Sequence, residues 1–331
     1  MSALVETMFY YGETPWHGLG KEVLSTLTAE EAIKAAGLDW EVEVVPVYHQ
    51  WNNRKIEIAD KAAIRRTTDG NVLAVLSPRY TPVQNREAFN FFDSVTATGE
   101  AKYHTAGSLI DGHRVWILAK LNGGGPIKVK TDDIDKYLLL MNGHDGIIAL
   151  KMFFTPVRVV CNNTLMAAEA GAHSLATFRA KHVGNLAAKM ERAREILGMT
   201  MKFYDTFAEK ANWLASHQLP TPKLPLLLAA AFGTSGAIRP EDIIKLDDFG
   251  ERRKKEMVKV EALFGGEGKG LDKKGIKGTA WAAYNAVVEY VDYARAYRGD
   301  NAADNRLSSV WLGTGKYIKQ RAWDYLMAQK V

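Results

Sequence analysis

Two kinds of hydrophobic spacing divide the chain. From Trp40 to His49 apolar and charged positions alternate, with Trp40, Val42 and Val44 on one side and Glu41 and Glu43 on the other, the period of a half-buried strand. The runs from Lys55 to Arg66 and from Asn71 to Ser77 continue the strand pattern. From Val183 to His217 the apolar positions fall instead in steps of four and three. Leu186, Met190, Ala193, Leu197, Thr200, Tyr204, Phe207, Ala211 and Leu214 predict one long helix carrying a packing seam. The first half therefore forms sheet, and the second half helix.

Turn and cap chemistry place further elements. Thr28 and Glu31 have capping-box spacing and Gly37 ends the run, which predicts a helix from Thr28 to Ala36. Asp69-Gly70, Asp111-Gly112 and Asp145-Gly146 each stand between apolar runs and supply the positive φ angles of a hairpin turn. A helix from Asn85 to Val95 carries Ala88, Phe89, Phe92 and Val95 on one face. In FFTPVRVVCNNTLMAAEA, Thr155 suits an N-cap and Pro156 a first helical position, so a helix is expected there. Val157, Val160, Cys161, Thr164, Leu165 and Ala168 would share its stripe, which puts Cys161 in packing. Pro220, Pro222 and Pro225 interrupt the long helix, and further helices are expected near Pro240 to Leu246, Phe249 to Phe264, Thr279 to Tyr297 and Gly315 to Gln329. The prediction is an α+β fold, with an antiparallel, hairpin-rich sheet domain around a β-β-β-α core over residues 1–175. An all-helical domain follows over residues 176–331.

Composition narrows the class. With 331 residues, 47% of them apolar and 24% charged, the chain is globular rather than disordered or fibrous. The single cysteine, Cys161, excludes an internal disulfide framework and a Cys-rich zinc site, so a reducing, cytoplasmic setting is expected. The opening MSALVETMFYY lacks a basic segment followed by an apolar one. The longest uncharged run, Leu224 to Ile238, is broken by Pro225, Gly233 and Gly236; neither a signal peptide nor a membrane span is expected. The net charge of +5 is unevenly spread, 2 Lys/Arg facing 8 Asp/Glu over residues 1–50 but 16 facing 10 over residues 251–331. Such segregation favours a polyanionic partner.

Catalytic and cofactor motifs fare poorly. GGEGKG at Gly265 to Gly270 has Leu263 in place of the first P-loop glycine and Gly270 in place of the magnesium-binding Ser/Thr. NGGGP at Asn122 to Pro126 suits a flexible hairpin. Asp132, Asp133 and Asp135 read as a polar loop entering a strand, and no HExxH or GxSxG occurs. No catalytic residue, metal or cofactor is therefore assigned. An enzymatic alternative would build its site on His17 in WHGLG and on His144-Asp145, a His beside a carboxylate serving as general base.

Nucleic-acid binding has broader support, because Lys and Arg release counterions from phosphates and aromatic faces stack on bases. Arg65 and Arg66 stand at a strand end, Arg79 adjoins Tyr80, Lys151 precedes Phe153, and Arg158 would open a helix whose N-terminus favours phosphate. Lys254 and Lys255 follow Arg252 and Arg253, Lys273 and Lys274 form a second pair, and Arg295 and Arg298 flank a Tyr290, Tyr293, Tyr297 stripe. These cations and Tyr80 are the candidate contacts to DNA, preferentially single-stranded. Trp281, Tyr284, Val288 and Val291 at the same time suit a helical core.

PWHGLG (Pro15 to Gly20), HDGIIALKMFFTPVRVVCNNTL (His144 to Leu165) and GTAWAAYNAVVEYVDYAR (Gly278 to Arg295) resemble the phage/plasmid-like protein family, domain of unknown function 932, over nearly the whole chain. The resemblance implies a mobile-element protein with cytoplasmic DNA as partner. It gives no role to the motif members Trp16, His17, Arg158, Asn163, Thr164, Trp281, Tyr284, Asn285 and Glu289. The α, β-β-β-α order is also similar to the core of Rad52-like single-strand annealing proteins, which implies annealing or recombination. Exposed strands paired edge to edge between subunits would give a homo-oligomer.

Overall fold

The computed structural model describes residues 5–12, 20–24, 27–96, 101–158, 163–164, 177–180, 200–233, 250–297, 306, 309–310 and 313–329. Trp16, His17, Cys161, Arg298, the seam from Leu186 to Leu197 and the expected helix at 240–246 lie outside them. The fold is α+β, with antiparallel sheets in the N-terminal half and helices in the C-terminal half. The chain divides into two compact units, one of residues 1–124, 137–154 and 175–199, the other of residues 125–136, 155–174 and 200–331.

In chain order the first unit holds β1 (Val5–Tyr11), β2 (Lys21–Val23), α1 (Ala29–Ala35), β3 (Val42–Trp51), β4 (Arg54–Arg66), β5 (Val72–Leu76), α2 (Asn85–Thr96), β6 (Ala101–Leu109) and β7 (Arg114–Leu121). Further strands follow: β8 (Ile127–Val129), β9 (Asp132–Gly143), β10 (Leu150–Arg158), β11 (Asn163–Thr164) and β12 (Thr177–Ala180). The larger sheet of the first unit runs β10-β9-β7-β6-β1-β2 with β12 on β10, and β3-β4-β5 form a separate antiparallel sheet. Only β1 and β2 pair in parallel among the registers described. The capping box forms as read: the Thr28 side chain accepts from the Glu31 N–H and the Glu31 carboxylate accepts from the Thr28 N–H at 2.9 Å. Gly37 follows at φ +64°, a left-handed conformation that glycine adopts without strain. Asp69-Gly70 turns β4 into β5 and Asp111-Gly112 turns β6 into β7, whereas Asp145-Gly146 lies in the longer loop from β9 to β10. α1 and α2 pack on each other and on β6, burying Ile33, Phe89, Tyr103 and Trp116.

The segment from Phe153 is a strand, not the expected helix, and Arg158 ends β10 rather than opening a helix. Thr155-Pro156 imitates a cap, but the aromatic and β-branched run around it satisfies its backbone in the sheet. Residues 150–153 pair with β12 and 157–158 with β11, so Pro156 falls in the gap between two partners, where a strand accommodates proline.

The second unit contains β8 paired with the start of β9, then α3 (Thr200–Ser216), α4 (Leu224–Phe232), α5 (Glu251–Ala262), α6 (Ala280–Glu289) and α7 (Thr314–Ala328). The prolines resolve into a single 3₁₀ turn, Thr221–Lys223, with Pro225 in the first turn of α4, where a missing N–H costs no hydrogen bond. Apolar on every side, α4 offers no amphipathic period and escaped the sequence reading. Every residue of α6 from Ala280 to Val288 is buried, and Phe207, Trp281, Tyr284 and Trp323 interlock around it with ring centroids 5.1–6.3 Å apart. Among the described residues no helix is long and apolar enough to cross a membrane.

Candidate functional site

The basic run at the start of α5 is sorted by the helical period. Glu256, Met257 and Val260 turn inward, while Arg252, Lys255 and Lys259 project to solvent, about one cation per turn along one stripe. Opposite this stripe α6 ends and residues 290–294 continue it as a π-helical turn, closed by the Arg295 N–H donating to the Tyr290 carbonyl at 2.8 Å. π turns of this kind recur at functional sites. Between the two elements lies a cleft of about 380 Å³, lined by Arg252, Lys255, Glu256, Lys259, Tyr290 and Ala296.

One carboxylate stands in this basic cleft, and cations flank it. Glu256 lies 3.6 Å from the Arg252 guanidinium and 3.8 Å from that of Arg295. Burial, and then the negative charge of Glu256, push the Tyr290 phenol well above its ordinary range, so it stays a neutral hydroxyl on the cleft floor. Arg295 also donates to the Thr314 hydroxyl at 3.2 Å. The Tyr297 ring sits between two guanidiniums, 5.8 Å from Arg295 and 5.6 Å from Arg306. Cations around a concave space with an aromatic floor bind phosphate oxygens and the flat groups attached to them. Among the described residues no group of three His, Cys, Asp or Glu side chains is placed to hold a metal ion.

The other candidates divide by unit. Lys255 and Arg295 belong to the cleft region, and Lys254 lies at its side, 3.5 Å from Glu251. Lys273 and Lys274 occupy the turn before α6, where Lys274 is exposed. In the first unit Arg65 is paired with Glu43 at 2.7 Å. Arg66 is buried between Glu6 at 2.6 Å and Asp69 at 2.5 Å, beneath the Trp40 ring, so it holds β4 to β1 and the turn rather than facing outward. Arg79 is exposed in the loop before α2, and its neighbour Tyr80 donates its hydroxyl to the Gly143 carbonyl at 2.7 Å. Lys151 is half-buried on β10, in register with residue 179.

The motif residues mostly build structure. Trp281 donates to Asp132, Asn285 donates to the Trp281 carbonyl at 2.8 Å, and Tyr284 packs fully buried against Trp323. Glu289 accepts the Lys269 backbone N–H through both oxygens, at 3.2 and 3.1 Å. Asn163 and Thr164 form β11. His144 is fully buried, 3.2 Å from Asn85 and packed against Trp40, and Asp145 pairs with Arg114 at 2.9 Å. Sequence reasoning named Arg252, Lys254 and Lys255 but not Lys259; winding the run at 3.6 residues per turn selects 252, 255 and 259 together.

Fold and cleft define a class, a mixed α+β protein whose helical unit carries a cation-lined, tyrosine-floored groove. The family described as domain of unknown function (DUF932) matches residues 72–311, and the chain belongs to that family. No curated protein and no solved structure matches it.

Proposed function

We propose that this protein binds nucleic acid, preferentially single-stranded DNA, and holds its phosphates along α5. The observation that carries this reading is the stripe of Arg252, Lys255 and Lys259 facing Tyr290 across the cleft. The excess of Lys and Arg over residues 251–331 supports it, since the charge is concentrated on the unit that holds the groove. A mobile-element protein with cytoplasmic DNA as its substrate, acting in annealing or recombination as a homo-oligomer, is the wider role this reading fits.

The test is a salt titration of binding to a fluorescent single-stranded oligonucleotide. Three phosphate contacts on a single strand give a slope of log K against log salt of about −2. Reversing Lys255 and Lys259 to Glu removes most of that slope and most of the affinity, and a duplex competitor reports strand preference. An absence of binding at low salt, or an affinity indifferent to salt, rejects the reading.

A further inference from the structure

The β3–β4 hairpin extends past its own sheet. Pro46 pairs with Ala62 and Tyr48 with Glu57, so residues 58–61 bulge opposite the single residue Val47. Beyond the bulge every residue from 48 to 57 is exposed. These residues form a two-stranded ribbon roughly 10 Å long at about 3.4 Å per residue. Asn52 and Asn53, at φ +45° and +57°, close it with the two left-handed positions of a type I′ turn.

Cross-strand partners share a face, and the registers sort the ribbon into two. On one face stand Tyr48, Gln50, Lys55 and Glu57, with the Lys55 ammonium 4.0 Å from the centre of the Tyr48 ring. On the other stand Trp51 directly opposite Arg54, and His49 opposite Ile56. Trp51, at the tip, is 63% exposed. Tyr48 and Ile56 are exposed with it, and three large apolar side chains held in water on one short ribbon mark a contact surface. Arg54 and Lys55 stand at the tip of the ribbon, and its one acidic side chain, Glu57, lies at the far end opposite Tyr48. Among the described residues no carboxylate engages either cation.

We infer that the β3–β4 ribbon is a nucleic-acid-binding arm, on which Trp51 stacks against a base of a single strand while Arg54 and Lys55 hold the adjacent phosphates. The inference rests on the nucleic-acid reading of the cleft and adds a base-contacting element in the other unit. Charge complementarity decides the occupant: an aromatic tip flanked only by cations and amides suits a polyanion with flat faces.

Two probes of equal length separate stacking from charge, an oligo-dT strand and an abasic strand carrying the same phosphates. Trp51→Ala is expected to weaken oligo-dT binding about tenfold while leaving abasic binding unchanged, and Trp51→Phe restores most of the loss. Arg54→Ala with Lys55→Ala weakens both probes and reduces the salt slope by about 1.4. If the unaltered protein binds neither probe, the nucleic-acid reading fails and the arm with it. If it binds oligo-dT and Trp51→Ala binds equally well, the arm alone is rejected. A change of oligomer size on Trp51→Ala with unchanged affinity also rejects it, and assigns the ribbon to self-association.

Discussion

The indole N–H of Trp281 donates to the Asp132 carboxylate over 2.9 Å, joining α6 to the first residue of β9 across 149 positions of sequence. Both residues are buried, so the bond is a charge-assisted contact in a low-dielectric interior. Trp281→Phe keeps most of the ring and removes the donor. The expected cost is about 1.5–3 kcal/mol, read as a lower urea midpoint at unchanged m-value. An unshifted midpoint would show that the bond contributes nothing net.

A second buried pair makes an opposite point about charge. Lys319 on α7 is fully buried and donates to Asp292 at 2.9 Å. Burial pushes its ammonium below the ordinary lysine range, and the facing carboxylate only partly restores it. Asp292→Ala should therefore cost about 3–5 kcal/mol by stranding the ammonium, whereas replacing both residues with apolar ones, Asp292→Leu with Lys319→Met, recovers most of the loss. Thermal unfolding of the three proteins distinguishes these outcomes, and equal losses in the single and double variants would contradict the argument.

Acid should loosen the first unit through Asp69. The Arg66 guanidinium and then the Asn71 N–H hold its carboxyl below its ordinary range. A carboxylate depressed in the folded state contributes stability that is complete above the unfolded-state value of about 3.9 and fades as pH falls through it toward the lower native value. Melting temperatures of the unaltered protein and Asp69→Asn should differ at pH 7, and the gap should narrow as pH falls below about 4. A gap as wide at pH 3 as at pH 7 would place the effect elsewhere.

Gly107 is required by close approach rather than by its backbone angles. A methyl group there would meet the Thr7 carbonyl oxygen, with Met8 and the Trp116 ring each at 2.6 Å. Because Gly107 pairs with Met8 on β1 and Trp116 on β7, Gly107→Ala must force three central strands apart. The overpacking cost is about 1–3 kcal/mol or more. Chemical denaturation measures it, and Gly70→Ala, a position with open space but φ +74°, provides a comparison in which only backbone strain acts.

Local chemistry was legible and distant pairing was not. The Thr28 box, the turns at Gly70 and Gly112 and the α2 boundaries follow from residues within a few positions of each other, so a linear reading finds them. β10 was misread because Thr155-Pro156 satisfies the local rule for a helix start while the sheet, a non-local partner, decides the outcome. α4 was missed because uniform hydrophobicity has no period to detect. The cleft was half legible. Its charge run is evident, with Glu256 one turn from Arg252, but Tyr290 and Arg295 meet it only after α5 has packed against the residues that continue α6. Arg65 and Arg66 looked like available cations because nothing in their own neighbourhood announces Glu43 and Glu6, which come from two other strands.

The Glu289 carboxylate against the Lys269 amide has a consequence for the glycine-rich loop at 265–270. Backbone N–H groups in such loops attract anions, and this one is supplied with an anion by the chain itself. An intramolecular partner competes at an effective concentration in the millimolar range or above, so a free nucleotide must displace a tethered rival to enter. The loop is thereby self-ligated. Its glycines give room for the chain to reach its own carboxylate, so the Lys269 N–H is already occupied when an outside anion arrives.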